Sequence, residues 1–210
     1  MSGASKQHPD GVEKRDASTL FNYDGDGSRP VIRGNPIVFN SWSQVMRGGM
    51  FGEIAFREVI APAAVDRTLR SAEEIHAYWN HDGGEVLGST LSGTLNLRKT
   101  STALAMELYP TQEWLATHHA AGLKRGDVRR MSFGFRVIDE KWSEEPDEQG
   151  VYEREIVDML FSEVSIVGKP AYKDTSVALS QRSLDVFNSD VRRCLSLDMA
   201  RKRQRNLMAR

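Results

Sequence analysis

Hydrophobic and polar positions alternate with a two-residue period over much of the middle of this chain. Leu91, Gly93, Leu95 and Leu97 alternate with Ser92, Thr94, Asn96 and Arg98, and Leu104, Met106 and Leu108 resume the pattern beyond a turn-like Lys99-Thr100-Ser101. Met131, Phe133, Phe135 and Val137 alternate with Ser132, Gly134 and Arg136. This period places successive side chains on opposite faces of a strand, one face buried and one polar. Residues 151 to 167 read as a long strand or a bent pair ended by Pro170, after a polar loop over Ser143 to Gly150.

Helical signals are fewer. Ala61-Pro62 to Arg70 carries Pro in a first turn. Ser71-Ala72-Glu73-Glu74 has the form of a capping box and predicts a short helix ending near His81. Thr111 to Lys124 predicts a helix stopped by Gly126. Phe187, Val191, Leu195 and Met199 recur at four-residue steps, which predicts an amphipathic helix across residues 184 to 209. Strand runs interspersed with helices favour an α+β fold, with a closed or nearly closed antiparallel sheet.

Residues 1 to 34 are rich in Gly, Asp, Ser and Lys without an apolar period, and read as a flexible N-terminal segment. Asp24-Gly25-Asp26-Gly27-Ser28 lacks the sixth-position Gly and the distal Glu of a calcium loop, so a turn-rich linker is the better reading. A single domain over residues 35 to 180 follows, and then a basic tail over 181 to 210. Leu184 to Arg210 holds seven Lys or Arg against three Asp. A basic helix with an apolar stripe suits docking to a partner protein.

With 210 residues, 40% hydrophobic and 27% charged, the chain has the composition of one ordinary globular domain with tails. A formal net charge of −1 makes no overall electrostatic case for nucleic acid or membrane. No apolar run approaches the roughly 20 residues of a membrane helix. The polar N-terminus has no signal-peptide core. The single cysteine, Cys194, excludes an internal disulfide and fits a reducing cytoplasm.

The candidate chemistry begins with Ser132, 51 positions after His81, and with Glu163, a lone carboxylate in the apolar run Leu160 to Val167. A serine alcohol is a weak nucleophile until a base takes its proton, and a neutral histidine acts best when a third group holds its tautomer. In a regular strand Glu163 shares a face with Val157, Met159, Phe161 and Val167, where a carboxylate must be paired. An imidazolium is one partner and Arg136 another. Asp158, of opposite parity, is the alternative for the orienting role. Gly134 shares the face of Ser132 and leaves room for an approaching substrate.

Other hydrolase signatures are absent: Arg130 stands where an α/β-hydrolase elbow has Gly. Of the remaining histidines, His8 lies in the lead-in, and His76 falls on an exposed-looking helical turn. His118 and His119 are adjacent, so on a helix they diverge by about 100° and do not share a metal. No cofactor motif and no metal-ligand spacing appears.

These residues carry a resemblance. Ile37-Val38-Phe39-Asn40, Phe56-Arg57-Glu58-Val59-Ile60-Ala61-Pro62, Asn80-His81-Asp82 with Leu87-Gly88, Ser132-Phe133-Gly134-Phe135, Glu163 to Val167 and Pro170-Ala171-Tyr172 resemble, in order and spacing, a tailed-phage prohead maturation protease. That family is similar to the herpesvirus assemblins, serine proteases with a small β-barrel flanked by helices. The resemblance implies catalysis by His81 and Ser132; because no histidine follows His119 where assemblins use a second one, either a carboxylate serves as third member or the site is a dyad.

It also implies cleavage of scaffold protein, of the major capsid protein precursor and of the enzyme itself, inside the assembling prohead in the host cytoplasm. Homo-oligomerisation stays open. Gly168 and Lys169, past the end of the last strand, are candidates for oxyanion donors. The alternative is a non-catalytic capsid assembly or scaffold protein that retains the protease fold. Intact His81 and Ser132 argue against it.

Overall fold

The computed structural model describes residues 12–25, 30–48, 53–115 and 120–168. They form a mixed α+β fold built mostly of strands. In chain order these are β1 (Glu13–Leu20), β2 (Asn22–Asp24), β3 (Val31–Val38), β4 (Met46–Gly48) and β5 (Ile54–Ile60). A 3₁₀ turn at Pro62–Val65 leads into α1 (Asp66–Arg70), followed by β6 (His76–Trp79), β7 (Asp82–Ser89), β8 (Leu95–Lys99) and β9 (Ala103–Leu108). Two short helices, α2 (Gln112–Trp114) and α3 (Ala120–Arg125), precede the long strands β10 (Arg130–Trp142) and β11 (Tyr152–Val167).

Among the described residues the strands pair into two sheets, and no closed barrel is found. A seven-stranded sheet runs β1-β10-β11-β5-β4, with β6 also pairing β11 and β7 pairing β6. A four-stranded sheet runs β2-β3-β9-β8. The larger sheet is not purely antiparallel: β11 pairs in parallel with β5 along its first half and with β6 near its end. One 16-residue strand thus carries two parallel partners, and local periodicity does not encode strand direction.

The main core lies between the sheets. Met131, Phe133, Phe135 and Val137 on β10 are at most 3% exposed and cluster with Ile32 and Ile37 of β3 and Leu104, Met106 and Leu108 of β9. Each such side chain contributes about 1.5–3 kcal/mol by leaving water. The sheets approach closely at Gly34, where a Cβ would lie 2.6 Å from the sulfur of Met131.

Several expectations are corrected. Residues 13 to 24, expected within a flexible lead-in, form β1 and β2. What recruits β1 is a buried ionic cluster that no local pattern reveals. The Arg15 Nε donates to Glu58 Oε1 at 2.6 Å and its Nη2 to Glu13 Oε2 at 2.6 Å. Arg154, fully buried, donates to Glu140 (2.6 Å), Glu13 (2.8 and 3.0 Å) and Glu58 (3.1 Å). Burial pulls the Arg154 pKa down, but Glu13, Glu58 and Glu140 outweigh it and hold the group well above its ordinary value.

The capping-box segment does not open a helix. Ser71 ends α1, its hydroxyl donating to the Thr68 carbonyl at 2.8 Å, and the chain then enters β6, so His76 stands on a strand. Leu91 is 81% exposed in a turn, and β8 begins only at Leu95. The Thr94 hydroxyl accepts from the Ser89 N–H at 3.0 Å and lies 2.6 Å from the Ser92 hydroxyl, which favours the turn over an extended run. Of the helix expected over Thr111 to Lys124, α2 and α3 are seen, and Gly126 follows α3 at φ +77. His8, His118, His119, Lys169, Cys194 and the basic tail lie outside the described residues.

Candidate active site

The site lies on the face of the larger sheet opposite the core. Across the strands, Tyr78 of β6, Ser165 of β11, Ser132 of β10 and Asp16 of β1 fall in one row by register. His76, Glu163, Gly134 and Lys14 fall in the next.

Glu163 reaches this face through a β-bulge. Phe161 pairs with Phe135 and Glu163 with Gly134, so Ser162 is an extra residue that breaks the alternation of β11. Phe161 therefore points into the core while Glu163 points to the side of Ser132. The expectation that Phe161 and Glu163 share a face is wrong for this reason. Gly134 also serves differently from the expected substrate opening. A Cβ there would lie 2.7 Å from Glu163 Oε1 and 2.8 Å from its Cγ, so the missing side chain makes room for the carboxylate.

His81 is presented by a two-residue hairpin. Trp79 pairs with Asp82 across β6 and β7, leaving Asn80 and His81 as the loop, both at positive φ (+51 and +62). That is the pattern of a type I′ turn, in which Asn suits the first central position and Gly the second. A histidine in the second costs on the order of 1–3 kcal/mol of backbone strain. The turn is pinned to the end of β11: the Asn80 N–H donates to the Ile166 carbonyl at 2.9 Å, and Asn80 Oδ1 accepts from the Gly168 N–H at 3.0 Å. Asp82 steadies the far side by accepting from the Gly84 N–H at 2.8 Å.

These elements bring three of the sequence candidates together. His81 Nδ1 lies 2.5 Å from Glu163 Oε1, and His81 Nε2 lies 2.8 Å from Ser132 Oγ. A carboxylate accepts from Nδ1–H, which leaves Nε2 as the acceptor facing the serine hydroxyl. The hydroxyl has one proton and a second acceptor, the Arg15 carbonyl of β1, also at 2.8 Å. Ser132 is 1% exposed and Glu163 8%. Burial, and then the negative charge of Glu163, pushes the phenol of Tyr78 up from its ordinary pKa.

The other candidates are elsewhere. Asp158 accepts from Arg67 Nε at 2.8 Å and belongs to that ion pair. The Gly168 N–H, expected as an oxyanion donor, is already bonded to Asn80. Sequence reasoning missed Asn80 as a clamp, Ser162 as the bulge and the approach of β1 to Ser132. The Asn of Trp79-Asn80-His81-Asp82 is a hairpin signal, obscured by His where Gly is the norm.

A serine, a histidine and a carboxylate hydrogen-bonded in series can support nucleophilic catalysis of the serine-hydrolase kind. The family model for caudovirus prohead serine proteases matches residues 17–190, most of the chain, and the protein belongs to that family. Membership gives it the role of a serine protease in capsid maturation. Comparison with curated proteins and with solved structures returned no match.

Proposed function

We propose that the chain is an endopeptidase that cleaves scaffold protein, the capsid protein precursor and its own ends during prohead maturation, with Ser132 as nucleophile, His81 as base and Glu163 as orienting acid. The observation that carries this reading is the continuous series Glu163 Oε1, His81 Nδ1, His81 Nε2 and Ser132 Oγ, with links of 2.5 and 2.8 Å. Ser132 Oγ attacks the scissile carbonyl carbon while its proton passes to His81 Nε2. The imidazolium so formed is stabilised by Glu163. His81 then returns the proton to the leaving amine as the C–N bond breaks, and an acyl ester remains on Ser132. Water, deprotonated by His81, attacks that ester and restores the serine.

In the same reading the two sheets correspond to the walls of an assemblin-like barrel, and the basic tail docks on scaffold or capsid protein inside the prohead. The test is co-expression with the capsid precursor, followed by turnover measurements on purified enzyme. Ser132→Ala should keep the fold and lose on the order of 10⁶ in kcat, and His81→Ala should be about as damaging, without additivity. Full processing by folded Ser132→Ala overturns the mechanism.

A further inference from the structure

Beside the nucleophile stands a second serine that the mechanism above does not use. Ser165 is 1% exposed, and its Oγ is buried without a hydrogen-bond partner among the described residues. A buried hydroxyl in that state is unfavourable, and in a native structure it calls for a reason. Position supplies one. Ser165 is the residue directly opposite Ser132 across the β10–β11 pair and directly opposite Tyr78 across β11 and β6. Directly opposed residues hold their Cβ atoms about 4.5–5.5 Å apart on one face. Because the Ser162 bulge lies before Glu163, Ser165 shares the face of Glu163 and Ser132 and not that of Phe161, while Val164 and Ile166 point into the core.

The reaction creates a need for a donor at that place. When Ser132 Oγ bonds to the scissile carbonyl carbon, negative charge collects on the carbonyl oxygen, one carbon away from Oγ. A donor that stabilises it must stand about 2.7–3.1 Å from that oxygen and be oriented before the charge develops. Around Ser132 Oγ, one side is held by His81 Nε2 and another by the Arg15 carbonyl, which only accepts. The backbone donor expected from the sequence, the Gly168 N–H, is engaged by Asn80. Ser165 carries an O–H with no competing acceptor among the described residues, at the distance of a neighbouring strand.

We propose that Ser165 is a catalytic residue whose hydroxyl donates a hydrogen bond to the oxyanion formed on attack by Ser132. The inference rests on the protease reading and deepens it. No bond to Ser165 forms or breaks, and its proton stays on Oγ throughout.

The experiment is the rate of phosphonylation of the full chain by a fluorophosphonate probe, whose P=O group places an oxygen where the oxyanion forms and which requires no knowledge of the cleavage sequence. It is read with the melting temperature for wild type, Ser132→Ala, Ser165→Ala and Ser165→Thr. Ser165→Ala should lower the maximal labelling rate by about 10²–10³-fold with little change in the half-saturating probe concentration. Its melting temperature should hold or rise, since an unpartnered buried hydroxyl is removed. Ser165→Thr, if it folds, should recover much of the rate.

Labelling of Ser165→Ala within threefold of wild type overturns the proposal, as does a loss of melting temperature with an unchanged rate in the folded fraction. Wild type that labels no better than Ser132→Ala overturns instead the underlying assignment of Ser132 as nucleophile.

Discussion

Two clusters of buried charge sit on the same pair of long strands, and they are built on different principles. Near the start of β11, Arg154 and Arg15 bind three carboxylates, Glu13, Glu58 and Glu140, in a closed set of short bonds. Near its end, Glu163 holds one imidazole, which in turn faces an alcohol. A guanidinium keeps its charge in any accessible medium, so the first cluster is a permanent fastening. An imidazole gains and loses its proton, so the second can carry one between bonds. In the proposed mechanism, the same pairing that makes buried charge tolerable is structure in one place and chemistry in the other.

The sharpest way to break this contrast is to disarm one carboxylate and one guanidinium in parallel. Glu163→Gln should cost roughly 10⁴ in kcat while the melting temperature moves little, because the amide no longer stabilises the imidazolium. Arg154→Met should do the reverse. It removes the cation bound to Glu140, Glu13 and Glu58, leaving only Arg15 on the last two, and should cost about 3–5 kcal/mol of stability while the folded fraction keeps its turnover. Urea melts with kcat on the folded fraction distinguish the two. If Glu163→Gln loses stability and spares turnover, Glu163 is a structural ion-pair member like Glu58.

A smaller change sharpens the site's side of the comparison. In Gly134→Ala the new Cβ must displace Glu163, whose Oε1 it would otherwise meet at 2.7 Å. Turnover should fall about 10²-fold through a misplaced His81, with a stability cost of about 1–3 kcal/mol. A variant with unchanged kcat would show that the carboxylate has slack the geometry does not suggest.

The smallest effect lies in a carboxylate of neither cluster. Asp147 accepts from the N–H groups of Val151 and Gln149 in the β10–β11 loop, and these bonds hold its pKa below the ordinary value. A lowered native pKa contributes stability above the unfolded value of about 3.9, which is lost as pH falls through the native one. Asp147→Asn should therefore lower Tm by about a degree at neutral pH. The difference should vanish once the medium protonates the native carboxyl. A difference that persisted in acid would assign the effect to loop packing.

Much of the strand content was legible, because burial on one face of β9 and β10 writes a two-residue period directly into Leu104, Met106, Leu108 and Met131 to Val137. His81, Ser132 and Glu163 were legible as residue types whose order and surroundings resemble a protease family. Their meeting was not, since it depends on a bulge at Ser162 that reverses strand parity and on a hairpin that folds His81 back over the sheet. The bulge leaves no local pattern, because it is defined by its partner strand, and the hairpin signal of Asn80 is obscured by His81 in a position where glycine is the norm.

The N-terminal strand was illegible for a related reason. The run Glu13-Lys14-Arg15-Asp16 is as polar as a disordered tail, yet it pairs with β10 as a strand, its charges completed by Glu58, Glu140 and Arg154 far along the chain. Thus the sequence by itself determined which side chains could do chemistry and where apolar faces must be buried, since both follow from residue type and local period. Tertiary structure alone decided strand direction, the pairing of buried charge and the approach of the Arg15 carbonyl to Ser132. Each of those is a relation between segments distant in the chain, and its energy exists only once they are in contact.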